Sequence, residues 1–365
     1  VFYALALNIT ALPTDKTYAN QLKATGILEK VFAEQPNHPG VAHYLIHSYD
    51  YPPIASRGLS AARRYAGIAP SAPHALHMPS HIFTRQGFWQ ESIESNRASA
   101  AAAKNHFDQL HAMDYLAYAY LQGGQDRAAR RVLDEAGAIQ KVNPEHFVTG
   151  YALAAIPSRY VLDRRRWSDA ASLTLSPSEF PWSRFPQSEA VLVFARALGA
   201  ARSGDVAGAR KDVARLEVLR DALTAAKQTY WAEQAEIQRQ VASAWVARAE
   251  GKNPDALQLM RAAADREAAN EKHPVSPGPI VPARELLGEM LLELGNPGHA
   301  LKEFEASHRV EPNRLKGLYG AAKAAELSGD LGKAKAYYSQ LVTLSARADT
   351  ERPELTEAKA FLAKK

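Results

Sequence analysis

The stretch LGEMLLELGNPGHALKEFEASHRVEP, residues 287–312, contains two helical segments separated by a turn at Gly295. Three of its positions recur 34 residues further on with the same kind of side chain. The recurring pairs are Gly295 and Gly329, Ala300 and Ala334, and Phe304 and Tyr338. Small residues let paired helices approach closely, an aromatic ring fills the space between them, and a proline ends the second helix. The stretch therefore predicts a helical hairpin that is repeated along the chain.

This unit resembles the tetratricopeptide repeat (TPR), and the chain as a whole resembles bacterial-type multi-repeat proteins of that family with a His-rich N-terminal half. The same frame continues towards the N-terminus with decreasing clarity, through turns at Gly251, Gly204, Gly123 and Gly87. We expect an all-α protein, a right-handed α-solenoid of about eight TPR-like helical hairpins. The resemblance implies that the first helix of each hairpin faces a concave groove, where members of this family bind their ligands.

A proline-rich break interrupts the repeats at residues 273–279, whose sequence is HPVSPGP. Three prolines so close together cannot continue a helix. We therefore predict two parts, a solenoid with a His-rich concave groove over residues 1–270 and a C-terminal TPR pair or cap over residues 271–365.

Composition narrows the possible functions. The chain has 365 residues, a formal net charge of +5 and no cysteine. Without cysteine there are no disulfides, thiolate metal sites or cysteine nucleophiles, so a metal site would need nitrogen and oxygen ligands. The basic residues form no long stripe, since the densest run is 164–166, which makes a nucleic-acid partner unlikely. No apolar run reaches the ~20 residues that a membrane helix needs.

The histidines follow the repeat. Nine of the twelve lie within the first 146 residues, and His43, His77 and His111 are separated by 34 residues each. They should therefore occupy the same place on the first helices of three consecutive hairpins. His47 and His81 repeat the pattern one helical turn later. We take these five histidines as candidate metal ligands.

Other polar residues extend the same stripe along the groove. They are Asp50, His74, Tyr115, Tyr118 and Arg159, the last of which aligns with His81 because the sequence Pro-Ser precedes both. Tyr115, Asp50 and Arg159 are also candidate catalytic residues, the first two for moving protons and Arg159 for orienting an anionic substrate. Pro79 lies two residues before His81 and should interrupt its helix.

Equivalent histidines on adjacent helices, whose axes lie ~8–10 Å apart, can converge on one ion. Zinc, copper and iron all accept imidazole, so the spacing predicts a divalent transition-metal site without naming the metal. Neither His-x-x-x-His pair has the glutamate of the zinc-protease helix. Two alternatives remain open: a metal-free module that binds a peptide, a protein or a small polar ligand in the groove, and a metal-dependent hydrolase or oxidase. The sequence leaves open whether the protein is an enzyme.

The chain begins inside an apolar stretch, Phe2 to Leu7. This start favours a helix or an export signal upstream of the sequence, and hence slightly favours a soluble protein outside the cytoplasm.

Overall fold

The chain folds into helices connected by turns and by several longer loops, among them residues 172–185 and 270–282. The computed structural model describes residues 1–364, and these contain twenty α-helices and two short 3-10 turns but no β-strand. The first ten helices are α1 (Phe2–Ile9), α2 (Ala19–Glu34), α3 (Pro39–Tyr49), α4 (Leu59–Ile68), α5 (Pro73–His77), α6 (Pro79–Arg85), α7 (Trp89–Ala102), α8 (His106–Gln122), α9 (Asp126–Gly137) and α10 (Phe147–Asp163). The others are α11 (Trp167–Ala171), α12 (Pro186–Ser203), α13 (Val206–Ala225), α14 (Thr229–Ala249), α15 (Asn253–Ala269), α16 (Ala283–Glu293), α17 (Pro297–Val310), α18 (Leu315–Leu327), α19 (Leu331–Leu344) and α20 (Pro353–Ala363).

Consecutive helices pack in pairs, as the repeat predicts. A turn at Met78 separates α5 from α6, and Pro79 begins α6, so these two short helices together act as one broken first helix. The described residues then form nine helix pairs followed by the single helix α20. The expected all-α array of TPR-like hairpins is confirmed, with one hairpin more than the approximate count.

Close packing within a hairpin depends on glycine where the sequence motif places it. A Cβ atom at Gly288 would lie 2.8 Å from the ring of Phe304, and one at Gly320 would lie even closer to the same ring. A side chain at either position would therefore push the aromatic ring out of the space between α16, α17 and α18.

The apolar core consists of two clusters that meet near residue 88. The first is built from buried residues between Ala4 and Phe83, and the second from buried residues between Trp89 and Ala358. Where they meet, the interface between the broken helix α5–α6 and helix α7 is polar although it is buried. Its polar side chains, each at most 1% exposed, are His77, Ser80, His81, Thr84, Ser92, Asn96 and Ser99. Burying a polar group costs free energy unless the group is paired, so the side chains of this layer need hydrogen-bond partners within the interface.

The C-terminal hairpins return to the N-terminal half. The indole Nε1 of Trp89 donates a hydrogen bond to the carbonyl of Asn313 at 2.7 Å, and the Arg314 guanidinium donates to the hydroxyl of Tyr118 at 2.7 Å. The backbone N–H of Leu315 donates to the side-chain carbonyl of Gln122. The division at residue 270 stays a sequence-based prediction, but segments on either side of it pack against each other.

Candidate metal centre

Three first helices carry the histidine cluster, and each has a defined start. Helix α3 begins at a proline, and the Nδ1 atom of His38 accepts a hydrogen bond from the Val41 N–H at its N-terminus. Helix α5 also begins at a proline. Helix α8 is capped by Asn105, whose side-chain carbonyl accepts from the Asp108 N–H at 3.0 Å. These caps fix the helical register, and the register decides which side chains reach the groove.

The histidines form two groups of three. His77, His81 and His111 make the inner group, and His43, His47 and His74 make the outer group. Within each group, one ring nitrogen per histidine lies within 4.8 Å of the other two, the separation expected of side chains that could share an ion. His77 and His81 are 1% exposed and His111 is 9% exposed, whereas His74 is exposed at the surface.

The structure thus places all five predicted histidine ligands side by side, together with His74, which the sequence had assigned to the ligand groove. The broken helix contributes to both groups. His74 and His77 lie on α5, and His81 follows on α6 after the interruption at Met78.

Hydrogen bonds orient the two most buried rings. The Nδ1 atom of His77 lies 2.7 Å from the side-chain oxygen of Asn96, and the amide nitrogen of Asn96 donates to the carbonyl of Ser92. The Nδ1 atom of His81 lies 2.9 Å from a carboxylate oxygen of Asp50. Both partners are acceptors, so each ring carries its hydrogen on Nδ1 and has a free lone pair on Nε2. The two Nε2 atoms face each other at 3.0 Å.

Asp50 is held as a carboxylate. Arg85 Nε donates to one of its oxygens at 2.9 Å, and Lys272 Nζ donates to the other at 2.7 Å. Burial opposes ionisation of Asp50, but Lys272, Arg85 and His81 together lower its pKa well below the usual value. Asp50 therefore orients His81 from behind, and its oxygens are already occupied by three donors.

Burial favours the neutral form of the histidines, which is the form that binds metal. Burial lowers the pKa of His43 to about 3, where His47 and His74 act in the same direction, and the pKa of His47 to about 4, where Asp50 opposes the shift. The same cause lowers the pKa of His77, His81 and His111 well below the ordinary histidine value. The Nδ1 atom of His111 is buried and has no hydrogen-bond partner among residues 1–364.

The proline-rich segment 273–279 covers the inner group. The hydroxyl of Tyr115 donates to the carbonyls of Pro274 and Ser276, at 2.9 and 3.0 Å, while its ring lies against His77 with 4.7 Å between ring centroids. Tyr115 therefore joins the covering segment to the histidines. The chain's own residues fill the part of the groove where a ligand was expected.

Arg159 does not have the predicted role of orienting an anionic substrate. Its side chain is fully buried, with Nε donating to Asp114 at 2.8 Å. Its other nitrogens donate to the Ser276 hydroxyl and to the carbonyls of Gly278 and Pro279. The guanidinium is thus committed to holding the covering segment.

Tyr118 and Asp50 also differ from the expected roles. The Tyr118 hydroxyl accepts from Arg314 and lies 3.5 Å from Glu311, so Tyr118 supports the C-terminal hairpins and has no open groove to face. Asp50 is an orienting residue, because its two oxygens accept from Arg85, His81 and Lys272.

Sequence reasoning missed Asn96, Arg85 and Lys272. Asn96 lies on a second helix, where the groove stripe gives no signal, and Lys272 is 222 residues from its partner Asp50. Only the polar character of the α7 sequence around Asn96 could have drawn attention to it.

A cavity of about 570 Å³ lies on the other side of the covering segment. Its wall is largely apolar and aromatic, and includes Val191, Phe194 and Trp231. Gln187 also lines it, and the side-chain oxygen of this 6% exposed residue has no partner among residues 1–364. No helix in the described part of the chain is long and apolar enough to cross a membrane.

Comparison with known protein families and with curated proteins finds no match. Several solved structures are similar at low identity. The APC/C hetero-tetramer Cut9-Hcn1 is 12% identical with a TM-score of 0.35, over 99% of this chain and 81% of that chain. The TPR domain of P58(IPK) is 14% identical with a TM-score of 0.29, over 99% of both chains. Yeast Tom70 is 11% identical with a TM-score of 0.31, over 99% of this chain and 96% of that chain. These scores are too low to support a functional comparison, so the repeat assignment rests on the helices and spacing of the chain itself.

Proposed function

We propose that this TPR-like array is a metal-binding protein that holds a divalent transition-metal ion through His77, His81 and His111. The observation that carries the proposal is the pair of facing Nε2 atoms. Asn96 and Asp50 hold the hydrogens of His77 and His81 on Nδ1, so two lone pairs point at each other across 3.0 Å.

Two lone pairs at this distance repel each other, and a cation between them converts the repulsion into attraction. A proton could do the same, but burial disfavours the imidazolium form of both rings. In a tetrahedral zinc site with Zn–N bonds of ~2.0–2.1 Å, neighbouring ligand nitrogens lie about 3.3 Å apart. The observed spacing is close to that value, so an ion needs only a small outward shift of the two rings.

The ligand set favours zinc, copper or iron. Neutral imidazoles suit these metals, whereas magnesium and calcium prefer carboxylate and carbonyl oxygens. The nearest carboxylate, Asp50, is occupied by Arg85 and Lys272, and the chain has no cysteine. His111 would supply the third nitrogen, which accounts for a buried ring with an unpartnered Nδ1 atom.

A second role, the binding of a small polar ligand on the concave side, is favoured by the cavity beyond the covering segment. Its volume of about 570 Å³ is of the size that holds small molecules. Gln187 offers an unpartnered amide oxygen there, and such a buried acceptor is costly unless a ligand or water donates to it. Residues 273–279 would then separate this ligand from the metal site. Whether the ion takes part in hydrolysis or oxidation depends on that ligand.

The metal proposal is tested with protein purified without a polyhistidine tag. We expect stoichiometric metal in the wild type, or a rise in thermal stability on adding zinc, copper or iron. We expect the His77→Ala variant to lose the ion held by His77, His81 and His111, with the stability that this ion adds, while keeping its helical circular dichroism. The matched control is His299→Ala, because His299 is exposed on α17, away from the cluster. Wild-type protein without metal, and without any thermal response to the three ions, would show that the cluster is metal-free and leave a metal-free interaction module as the better explanation.

A further inference from the structure

The outer histidine group lies directly beside the inner one. The rings of His47 and His81 are 5.5 Å apart between centroids, and those of His74 and His77 are 6.2 Å apart. Within the outer group, the Nε2 atoms of His74 and His43 face each other at 3.1 Å. The nitrogen arrangement of the inner group is therefore repeated one helical turn away.

We infer that the two groups form one binuclear metal centre, with three imidazoles on each ion and a small bridging anion such as hydroxide between the ions. This inference rests on the proposed metal-binding function and extends it from one ion to a coupled pair. It also specifies a ligand class, because the bridging position would take a small oxygen-donor anion.

The helix geometry requires the two ions to be neighbours. His74 and His77 are three residues apart on α5, so their Cβ atoms are ~5–6 Å apart and their rings point to the same side. Two ions that each bind one of these rings can approach each other to the ~3.5–4 Å found in two-metal sites, because the ring centroids are only 6.2 Å apart. A separation of this size can be spanned by a single oxygen atom.

Charge explains why a bridging anion is needed. Two dications would be surrounded by six neutral imidazoles, and the carboxylate that hydrogen-bonds to the inner group, Asp50, is neutralised by Arg85 and Lys272. Repulsion between two dications at this distance is large in a buried site. No carboxylate of residues 1–364 hydrogen-bonds between the two groups, so the bridging anion would come from solvent or substrate.

The two positions differ in access and in support. The inner group is covered by Pro274 and Ser276 through Tyr115, whereas the outer group opens to solvent at His74. The inner rings have Asn96 and Asp50 behind them, and among the hydrogen bonds of residues 1–364 the outer rings have no such partners. Residues that hydrogen-bond to a metal ligand typically change metal affinity 10- to 100-fold, so we expect the outer ion to dissociate first.

The test uses Cu(II) alone as the probe, with copper counted per chain and spins counted by double integration of the electron paramagnetic resonance signal. We expect two copper ions per wild-type chain and far less than two spins, because a shared bridging oxygen couples the two unpaired electrons. The His43→Ala variant should bind one copper ion with one full spin. His74→Ala, at an exposed position, should give the same result and guards against misfolding of the first variant, and His299→Ala should behave like the wild type.

Two results would overturn the binuclear centre while leaving the proposed function intact. One is a single copper ion per wild-type chain with one full spin, lost in His77→Ala. The other is two copper ions with two full spins, which would mean separate, uncoupled sites. Failure of the proposed function is a different result, the absence of any stoichiometric binding of copper, zinc or iron.

Discussion

Replacing Asn96 by leucine removes the group that fixes the tautomer of His77. Asn96 is fully buried on α7, and its oxygen accepts from Nδ1 of His77 at 2.7 Å. In Asn96→Leu the ring is free to carry its hydrogen on Nε2 and to donate it to Nε2 of His81, 3.0 Å away. That hydrogen occupies the position where the metal ion would bind. We therefore expect weaker metal binding and a metal-free state that gains a hydrogen bond.

The size of the effect follows from the hydrogen bonds involved. Loss of a residue that hydrogen-bonds to a metal ligand weakens metal binding about 10- to 100-fold. At a free metal concentration of about 100 times the wild-type Kd, binding stabilises the native state by about 2.7 kcal/mol. At the same concentration, a site weakened 10- or 100-fold contributes only about 1.4 or 0.4 kcal/mol.

The control is Thr84→Val, which breaks the 3.1 Å hydrogen bond between Thr84 and Ser92 in the same α6–α7 interface without touching a histidine. Thr84→Val removes one buried hydrogen bond, worth about 0.5–1.5 kcal/mol in the metal-free protein. Asn96→Leu also removes the bonds of Asn96 to Ser80 and Ser92, so the two variants are compared by their metal Kd and not by their stability. The assay is equilibrium competition with a chelator, followed by thermal melting with and without metal. If Asn96→Leu kept the wild-type Kd, or if both variants lost affinity equally, the tautomer argument would be refuted.

Four further predictions concern the same cluster and the segment that covers it. In Asp50→Asn the new amide NH2 group faces at least one of the three donors Arg85, His81 and Lys272, so we expect a lower free energy of unfolding. If the NH2 group faces His81, the His81 ring carries its hydrogen on Nε2, and chelator competition should show about 10- to 100-fold weaker metal binding. Because burial lowers the pKa of His47 to about 4, protons should displace the metal only at a pH well below the ordinary histidine pKa of ~6.5. The measurement is the metal content after dialysis at decreasing pH. Loss of half the metal at a pH above ~6.5 would contradict the prediction. Unfolded histidines take up protons from about pH 6.5 downward while folded ones stay neutral, so the metal-free protein should lose stability as the pH falls. Arg159→Ala leaves Asp114 buried without its cation and should cost about 3–5 kcal/mol of stability, seen in denaturant melts, whereas an unchanged melt would argue for the substrate-orienting role.

The repeat and most of the site were predictable because they depend on local, periodic features. Glycine, alanine and aromatic residues recur at 34-residue intervals since each hairpin solves the same packing problem, and histidines at matching positions inherit the same orientation. His74 was placed in the groove but not among the ligands, because its partner His43 lies on a different helix at a different register. The break before His81 was also predicted, because a proline inside a helix removes a backbone hydrogen bond and kinks or breaks the helix.

The parts that sequence reasoning missed depend on contacts between distant segments. Lys272 meets Asp50 across 222 positions of chain, and no local pattern marks such a pair. The alignment that matched Arg159 to His81 was a sound reading of the repeat, but it carried no information about Asp114 or the segment 276–279. Repeat logic predicts contacts between neighbouring hairpins, and these contacts join hairpins that are far apart in the array.

The C-terminal half packs against helices α7, α8 and α10, and this packing also limits how many hairpins the chain can gain or lose. In an open repeat array each unit contacts only its neighbours, so units can be duplicated or deleted with little consequence elsewhere. Here, deleting one hairpin between α10 and α16 would displace Pro274 and Ser276 from Tyr115 by about one helix spacing, ~8–10 Å, and would separate Trp89 from Asn313. These contacts between the two halves therefore fix the number of hairpins, and insertions are tolerated only in turns that take no part in the contacts.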